Sequence, residues 1–199
     1  MTTDALAQQL AQQKSDLRRS ASARRDILAR EAPEDAGERA AAVFAGHFSL
    51  TPGTVVSGYW PMGSELDPRP LLHRLHAEGL RTALPLTRGR EHPLQFRAWR
   101  PGDALRPGGF GTSVPTDDAP ELTPSVLLVP LLAVDGYGYR LGYGGGYYDR
   151  TLRSLRGSGM PVTAVGFAFA GQQIAAVPHH GGDEMLDWLV SERDARRFG

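Results

Sequence analysis

The segment that most restricts the fold of this chain is Ser125-Val126-Leu127-Leu128-Val129-Pro130-Leu131-Leu132-Ala133-Val134, its most apolar run. A stretch with no polar face to show to water predicts a strand covered on both sides, as at the centre of a parallel sheet. It empties directly into Asp-Gly-Tyr-Gly-Tyr-Arg-Leu-Gly-Tyr-Gly-Gly-Gly-Tyr-Tyr (135–148), where six residues of fourteen are glycine and five of the chain's six tyrosines fall. A helix over residues 147–156 is expected next. In open α/β sheets ligands bind outside the carboxyl ends of the strands. Glycines let the backbone turn its N–H groups toward an anion, and the N-terminus of a following helix adds partial positive charge. Arg140 offers a full positive charge to a phosphate. The competing reading is a glycine-rich turn with tyrosines packed on the sheet, but a loop joining backbone freedom to aromatic rings favours function. No Gly-Lys-Ser/Thr closes the loop, so it is not a Walker A motif, and Tyr147 breaks a G-x-G-x-x-G fingerprint. These residues by themselves indicate a phosphate or a nucleotide without saying which.

The rest of the chain supplies the layers around that strand. Leu6, Leu10, Leu17 and Leu28 recur at roughly helical spacing and predict a helix over residues 3–31. A second helix is expected from Pro33 to about residue 47, with Glu34 and Asp35 in its first turn. The β-branched and aromatic run 54–60 predicts a strand. Asp67-Pro68 opens a helix that stops at Gly79, and residues 80–86 form the next strand, completing a strand–helix–strand unit. Residues 93–99 alternate as a half-exposed strand, and 101–124 are expected as loop. Strands at 162–168 and 188–191 finish the sheet. The expected architecture is α/β, one domain over 1–199 with a mainly parallel sheet flanked by helices and a helical N-terminal segment (1–48) packed on it.

Composition narrows the function classes. Lys and Arg total 22 against 22 Asp and Glu, a balance that argues against a dedicated nucleic-acid binder. The absence of cysteine excludes disulfides, thiolate metal sites and a cysteine nucleophile. No apolar run approaches membrane-spanning length, and the N-terminus lacks the apolar core of a signal peptide, so a cytoplasmic location, no membrane partner and a monomeric state are expected. There is no H-E-x-x-H and no G-x-S-x-G, and the six histidines form no metal set.

Three further groups carry chemistry. Lys14 is the single lysine beside 21 arginines, and it stands one helical turn from Arg18 on the same face. Spacing alone favours a solvated basic face there, and Arg19, Arg24 and Arg25 read as surface charges. Glu65 follows the first strand at its carboxyl end, where a carboxylate suits a donor-rich ligand edge, with Trp60 or Met62 placed to cover a ring. Asp149 lies in the first turn of the helix after the glycine loop, favourable to the helix dipole and also a candidate oxygen ligand for Mg²⁺.

The run Arg140-Leu141-Gly142-Tyr143-Gly144-Gly145-Gly146-Tyr147-Tyr148-Asp149-Arg150, behind a strand ending Val129-Pro130, resembles the signature of the 5-formyltetrahydrofolate cyclo-ligases. The likeness extends to the basic N-terminal helix, the glutamate-bearing loop after the first strand and an acidic segment near the C-terminus. It implies an enzyme that uses ATP and Mg²⁺ to close 5-formyltetrahydrofolate, with or without a polyglutamate tail, to 5,10-methenyltetrahydrofolate. It further implies that Lys14, Arg18, Arg140, Leu141, Gly142, Tyr143, Gly144, Gly145, Gly146, Tyr147 and Tyr148 serve ATP. By the same likeness Arg18, Trp60, Glu65, Tyr143, Gly144, Gly145, Gly146 and Tyr147 serve the folate, and Lys14, Arg140 and Tyr147 serve catalysis. The metal would fall to Asp149 and to Asp183 of Pro178-His179-His180-Gly181-Gly182-Asp183, with Asp187 as the alternative; Gly181-Gly182 depart from the bulkier residues usual there. Two other readings remain: a single-stranded RNA binder stacking bases on the tyrosines, and a small-molecule kinase or sugar-phosphate enzyme.

Overall fold

The computed structural model describes residues 3–199; Met1 and Thr2 of the expected helical segment lie outside them. The order of elements is α1 (Thr3–Glu31), α2 (Ala36–His47), β1 (Val55–Ser57), α3 (Arg69–Ala77), β2 (Arg81–Leu86), β3 (Gln95–Ala98), β4 (Leu105–Pro107) and β5 (Ser113–Pro115). Then come β6 (Val126–Val129), β7 (Ala133–Val134), β8 (Arg140–Leu141), α4 (Tyr147–Gly157), β9 (Thr163–Phe167), β10 (Trp188–Val190) and β11 (Ala195–Arg197). Seven strands form the main sheet in the order β11-β10-β9-β6-β1-β2-β3. The five inner strands run parallel, and β3 and β11 close the edges antiparallel. Among the described residues no helix is long and apolar enough to cross a membrane.

The strand β6 lies at the middle of this sheet, and its period-two alternation sorts its side chains between two cores. Val126 and Leu128 join the layer of α2 and α3, with Phe44, Leu71, Leu72 and Leu75. Leu127 and Val129 join the layer beneath α4, with Leu152, Leu131 and Leu189. All four β6 residues are buried, which is why the run could carry no polar residue. The helix α3 starts where Asp67 accepts the Arg69 N–H (2.9 Å) and stops at Gly79, whose φ of +82° is a left-handed turn. The long α1 adds little to either core. It packs a third, smaller cluster through Ala21 and Leu17 against Leu132, Ala133 and Leu141, and so lies over the β7–β8 ribbon.

Five expectations need correction. The apolar run does not form one strand: Pro130 has no N–H to give a sheet neighbour, so the chain leaves the sheet after Val129. It re-forms as β7, paired antiparallel with β8. The run 54–60 contributes only three residues to the ladder, although Gly58 still donates to the Ala83 carbonyl (2.9 Å). The stretch expected as loop contains the β4–β5 hairpin, turned at Phe110 with a positive φ of 59°. The edge strand β11, Ala195-Arg196-Arg197, is too short and too polar to announce itself. The second helix begins at Ala36, with Pro33 supplying only the carbonyl that receives the Ala36 N–H.

Leu128 is fully buried in the central strand. Replacing it by alanine removes contacts on the α2–α3 side, and the expected loss is about 2–5 kcal/mol of stability, read as a lower urea midpoint with an unchanged slope.

Candidate active site

The region beyond the carboxyl end of β6 is held by one buried acid. Asp135 accepts the N–H groups of Tyr137 (2.9 Å) and Tyr139 (3.1 Å) on one oxygen and that of Val177 (3.0 Å) on the other. This fixes the β7–β8 turn and the segment leading to Asp183 against each other. From β8 the chain passes through Gly142–Gly146 into α4. Gly144 has φ +97°, and Gly146, with φ +64°, caps the helix without any side-chain cap. The N–H groups of the first turn of α4 are therefore free of a capping side chain, the arrangement that favours an anion. Tyr147 opens the helix with its ring between Arg150 (5.1 Å) and Phe110 (6.0 Å, edge to face). A Cβ at Gly145 would lie 2.8 Å from that ring, so the position has room only for glycine.

The helix α1 lays one face along this loop. Arg18 donates through Nε to the Gly142 carbonyl (3.0 Å), and its guanidinium covers Gly144, where a Cβ would stand 3.2 Å from Cζ. Lys14 pairs with Asp183 at 2.6 Å. Seven residues beyond Arg18, Arg25 is buried, which corrects its expected place on the surface; Arg19 and Arg24 are exposed as expected. The spacing 14, 18, 25 is one helical stripe, and that stripe is the signal by which Arg25 could have been found. An open groove of about 540 Å³ runs beside it, lined by Arg18, Arg19, Ser22, Ala23, Asp26, Leu132 and Tyr143.

Arg25 meets Glu65. The Glu65 side chain is 3% exposed and the Arg25 side chain 6%, and Nη1 lies 3.7 Å from Oε1. Glu65 Oε2 accepts the Met62 N–H at 2.8 Å, while Tyr143 donates its hydroxyl to Oε1 and accepts from Arg25. Arg25 Nε reaches Ser64 Oγ (3.0 Å), which in turn donates to Asp26. Burial raises the Glu65 carboxyl above the usual range; the bonds from Tyr143 and Met62 and the charge of Arg25 restrain the rise. Burial and the nearby Glu65 charge push up the phenols of Tyr143 and Tyr148, so both are neutral hydrogen-bond donors at neutral pH. Tyr59, at the end of β1, is buried with its hydroxyl on the Leu66 carbonyl (2.7 Å). Trp60 packs edge-on against Trp99 (5.9 Å) with Arg69 over its ring (5.0 Å).

The acidic pair forms the other side. Asp149 Oδ1 accepts from Arg140 Nη2 (2.8 Å) and from the Glu184 N–H (3.0 Å), so Asp149 and the residue after Asp183 are directly bonded. Arg140 is 5% exposed in its side chain and also binds the Glu184 carbonyl. Asp183 Oδ2 takes Lys14 and the His180 N–H (2.8 Å). Burial opposes its ionisation, but the bond and charge of Lys14, the His180 N–H and the His180 charge hold its carboxyl below the ordinary value. The departure at Gly182 is explained by this turn: a Cβ there would meet the His180 ring at 2.6 Å. Asp187, the alternative to Asp183, binds Arg156 (2.9 Å) and the Ala164 N–H (2.7 Å) through one oxygen and anchors α4 to β9. His179 stacks on Tyr139 at 3.6 Å, and no group of three or more His, Cys, Asp or Glu is gathered for a metal among the described residues.

The fold and the site together define an α/β protein with a glycine loop opening an uncapped helix, and a buried carboxylate, at the carboxyl ends of its parallel strands. The model of the 5-formyltetrahydrofolate cyclo-ligase family matches residues 10–192. The 5-formyltetrahydrofolate cyclo-ligase of Escherichia coli strain K12 is 31% identical over 177 residues, covering 84% of this chain and 94% of the relative. That of Mycolicibacterium smegmatis is 36% identical over 163 residues, 75% of this chain and 82% of the relative. Among solved structures, the 5,10-methenyltetrahydrofolate synthetase of Aquifex aeolicus superposes with a TM-score of 0.76 at 29% identity, covering 92% of each chain. The chain belongs to the 5-formyltetrahydrofolate cyclo-ligase family, and it is an enzyme of the ligase class.

Gly146 carries the one left-handed cap of α4, and a Cβ there would meet Arg150 Nη1 at 2.7 Å. Gly146→Val is expected to cost about 1–2 kcal/mol through the strained φ, read by thermal melting. Asp187→Asn is expected to lower the melting temperature as well, through loss of the Arg156 pair, without altering ligand affinity measured by calorimetry.

Proposed function

We propose that this enzyme closes 5-formyltetrahydrofolate to 5,10-methenyltetrahydrofolate, consuming ATP in the presence of Mg²⁺ and releasing ADP and phosphate. One observation carries the reading beyond family membership. The segment Gly142–Tyr143 is bonded to Arg18 on one side and to Glu65 on the other, so a single loop borders both a phosphate-type cradle and a donor-recognising carboxylate.

In this reading the loop amides of residues 142–146, the α4 N-terminus, Lys14 and Arg18 hold the triphosphate. Lys14 spends one donor on Asp183 and keeps others for phosphate oxygens. Arg140 is already committed to Asp149 and the Glu184 carbonyl, so its part is to aim Asp149. Asp149 Oδ2 accepts no hydrogen bond from the described residues and would be available to a hard cation. Two carboxylates joined by phosphate oxygens suit Mg²⁺, which seldom uses a dedicated protein cage. When bound it would offset the negative charge of the phosphates. Glu65 accepts the amino-pyrimidinone N–H edge of the folate. Tyr147 lines the junction between nucleotide and formyl group, and Trp60 covers the ring system only after a rearrangement away from Trp99.

A formamide carbonyl is a weak electrophile and its oxygen a poor leaving group. The formyl oxygen attacks the γ-phosphorus and ADP departs, which leaves an imidate-like phosphate on N5. N10 then adds to the formyl carbon, loses its proton, and the phosphate leaves with the C–O bonding pair. The chain's residues contribute positioning and charge neutralisation, the main means of catalysis in phosphoryl transfer.

Incubating the pure protein with ATP, Mg²⁺ and 5-formyltetrahydrofolate is expected to raise methenyl absorbance in the near ultraviolet, and a flat trace would discard the reading. Glu65→Gln is expected to raise the KM for folate about ten- to a hundredfold, the worth of a charge-assisted hydrogen bond, with a much smaller change for ATP. Equal changes for both would make Glu65 structural.

A further inference from the structure

We infer that Arg25 is a positioning residue of the folate site: it holds Glu65 as a charged, aimed carboxylate while Tyr143 keeps the place that a substrate N–H takes. The inference rests on the proposed pairing of Glu65 with folate. Its grounds are geometric. Arg25 is an arginine with almost no solvent exposure, and it comes from a helix that otherwise lies at the surface. A guanidinium buried to that degree requires a partner, and the carboxylate within reach is Glu65 at 3.7 Å. The Nε is fixed by Ser64 Oγ at 3.0 Å, so the fork cannot swing away.

The wiring of the Glu65 oxygens shows what is left for a ligand. Oε2 is committed to the Met62 N–H, and Oε1 faces Tyr143 and Arg25. Acceptor sites remain on both oxygens, but the side chain is 3% exposed, so an incoming N–H pair reaches it by displacing the Tyr143 hydroxyl. Tyr143 can yield, because it is 48% exposed and precedes Gly144 at φ +97°. Arg25 is held more firmly, by the Ser64 bond to its Nε and by a side chain only 6% exposed. Once Tyr143 leaves, Arg25 is the one full positive charge among the described residues that pairs with the buried carboxylate. The other titratable groups facing Glu65 are the neutral phenols of Tyr59, Tyr143 and Tyr148, while Asp67 next to Tyr59 is neutralised by Arg69.

The test is the pH profile of 5-formyltetrahydrofolate affinity, measured by calorimetry without nucleotide from the alkaline side down through the pH at which affinity begins to fall. Folate binding needs the carboxylate, so it weakens as pH falls toward the raised Glu65 value. Arg25→Met is expected to move that weakening upward by about one pH unit, since an opposite charge at this range lowers a carboxyl by that order. Where both carboxyls are protonating, affinity in the variant is then about tenfold below that of the parent protein, and the two meet at the alkaline end. Arg25→Lys restores most of the profile. Ser64→Ala, on a half-exposed loop, keeps the fold and shifts the profile the same way by a smaller amount. Uniform weakening at every pH, or no rescue by lysine, would overturn the inference and make Arg25 a packing residue. Should Arg25→Met fail to fold, an unshifted profile in Ser64→Ala overturns it equally. Glu65→Gln separates the two levels: folate binding unchanged in that variant would sink the proposed pairing itself, whereas a large pH-independent loss there with no shift in Arg25→Met or Ser64→Ala sinks only the role of Arg25.

Discussion

Removing a carboxylate from water costs several kcal/mol unless cations and hydrogen-bond donors replace the lost hydration. The Glu65 side chain is 3% exposed and stands at the carboxyl end of β1, and its compensation comes from three separate parts of the chain. The Met62 N–H is local, Arg25 comes from α1, and Tyr143 comes from the glycine loop. Satisfying one buried charge thus decides where the first helix crosses the sheet and how the loop closes over it. The small apolar cluster of Ala21, Leu132 and Leu141 supports the same crossing but is too slight to set it alone.

This arrangement combines rigid and yielding parts. Asp135 satisfies three backbone donors with two oxygens and so locks the ribbon and the segment before Asp183. The acidic pair is joined through the Glu184 N–H, and each acid already has a cation beside it. Between these fixed points the loop 142–146 is tied mainly through side chains: Arg18 on the Gly142 carbonyl, Arg150 on the Gly145 carbonyl, and the Tyr143 hydroxyl on Glu65. A loop held by a few side-chain contacts can reorganise around a ligand while the frame stays in place.

The two departures around the apolar run have one cause. Hydrophobicity predicts burial but does not say whether burial occurs within a sheet or beside it. Pro130 interrupts the ladder; Leu131 is then buried on the α4 side of the sheet beside Gly166, and Leu132 with Ala21 of α1 and the β7–β8 ribbon. The same change of direction carries Arg140 inward to Asp149, where it is enclosed and no longer offers its charge to solvent.

Family, layer order and the candidate loop were legible in the residues themselves, because each depends on local chemistry. Period-two burial marks β6, and glycines at 144 and 146 supply the positive φ that the turn into α4 requires. The partners of those residues were not legible. Arg25 has the same local surroundings as Arg24, one position away on the same helix, yet one is buried on Glu65 and the other is exposed. Asp183 and Asp187 are both acids near the C-terminus, and only the path of the chain places one on Lys14 and the other on Arg156. Sequence alone determined which groups were present and which backbone shapes were allowed. Which charges meet was decided by the tertiary structure, since pairing a buried charge depends on contacts more than a hundred residues apart in the chain, such as Arg25 with Tyr143.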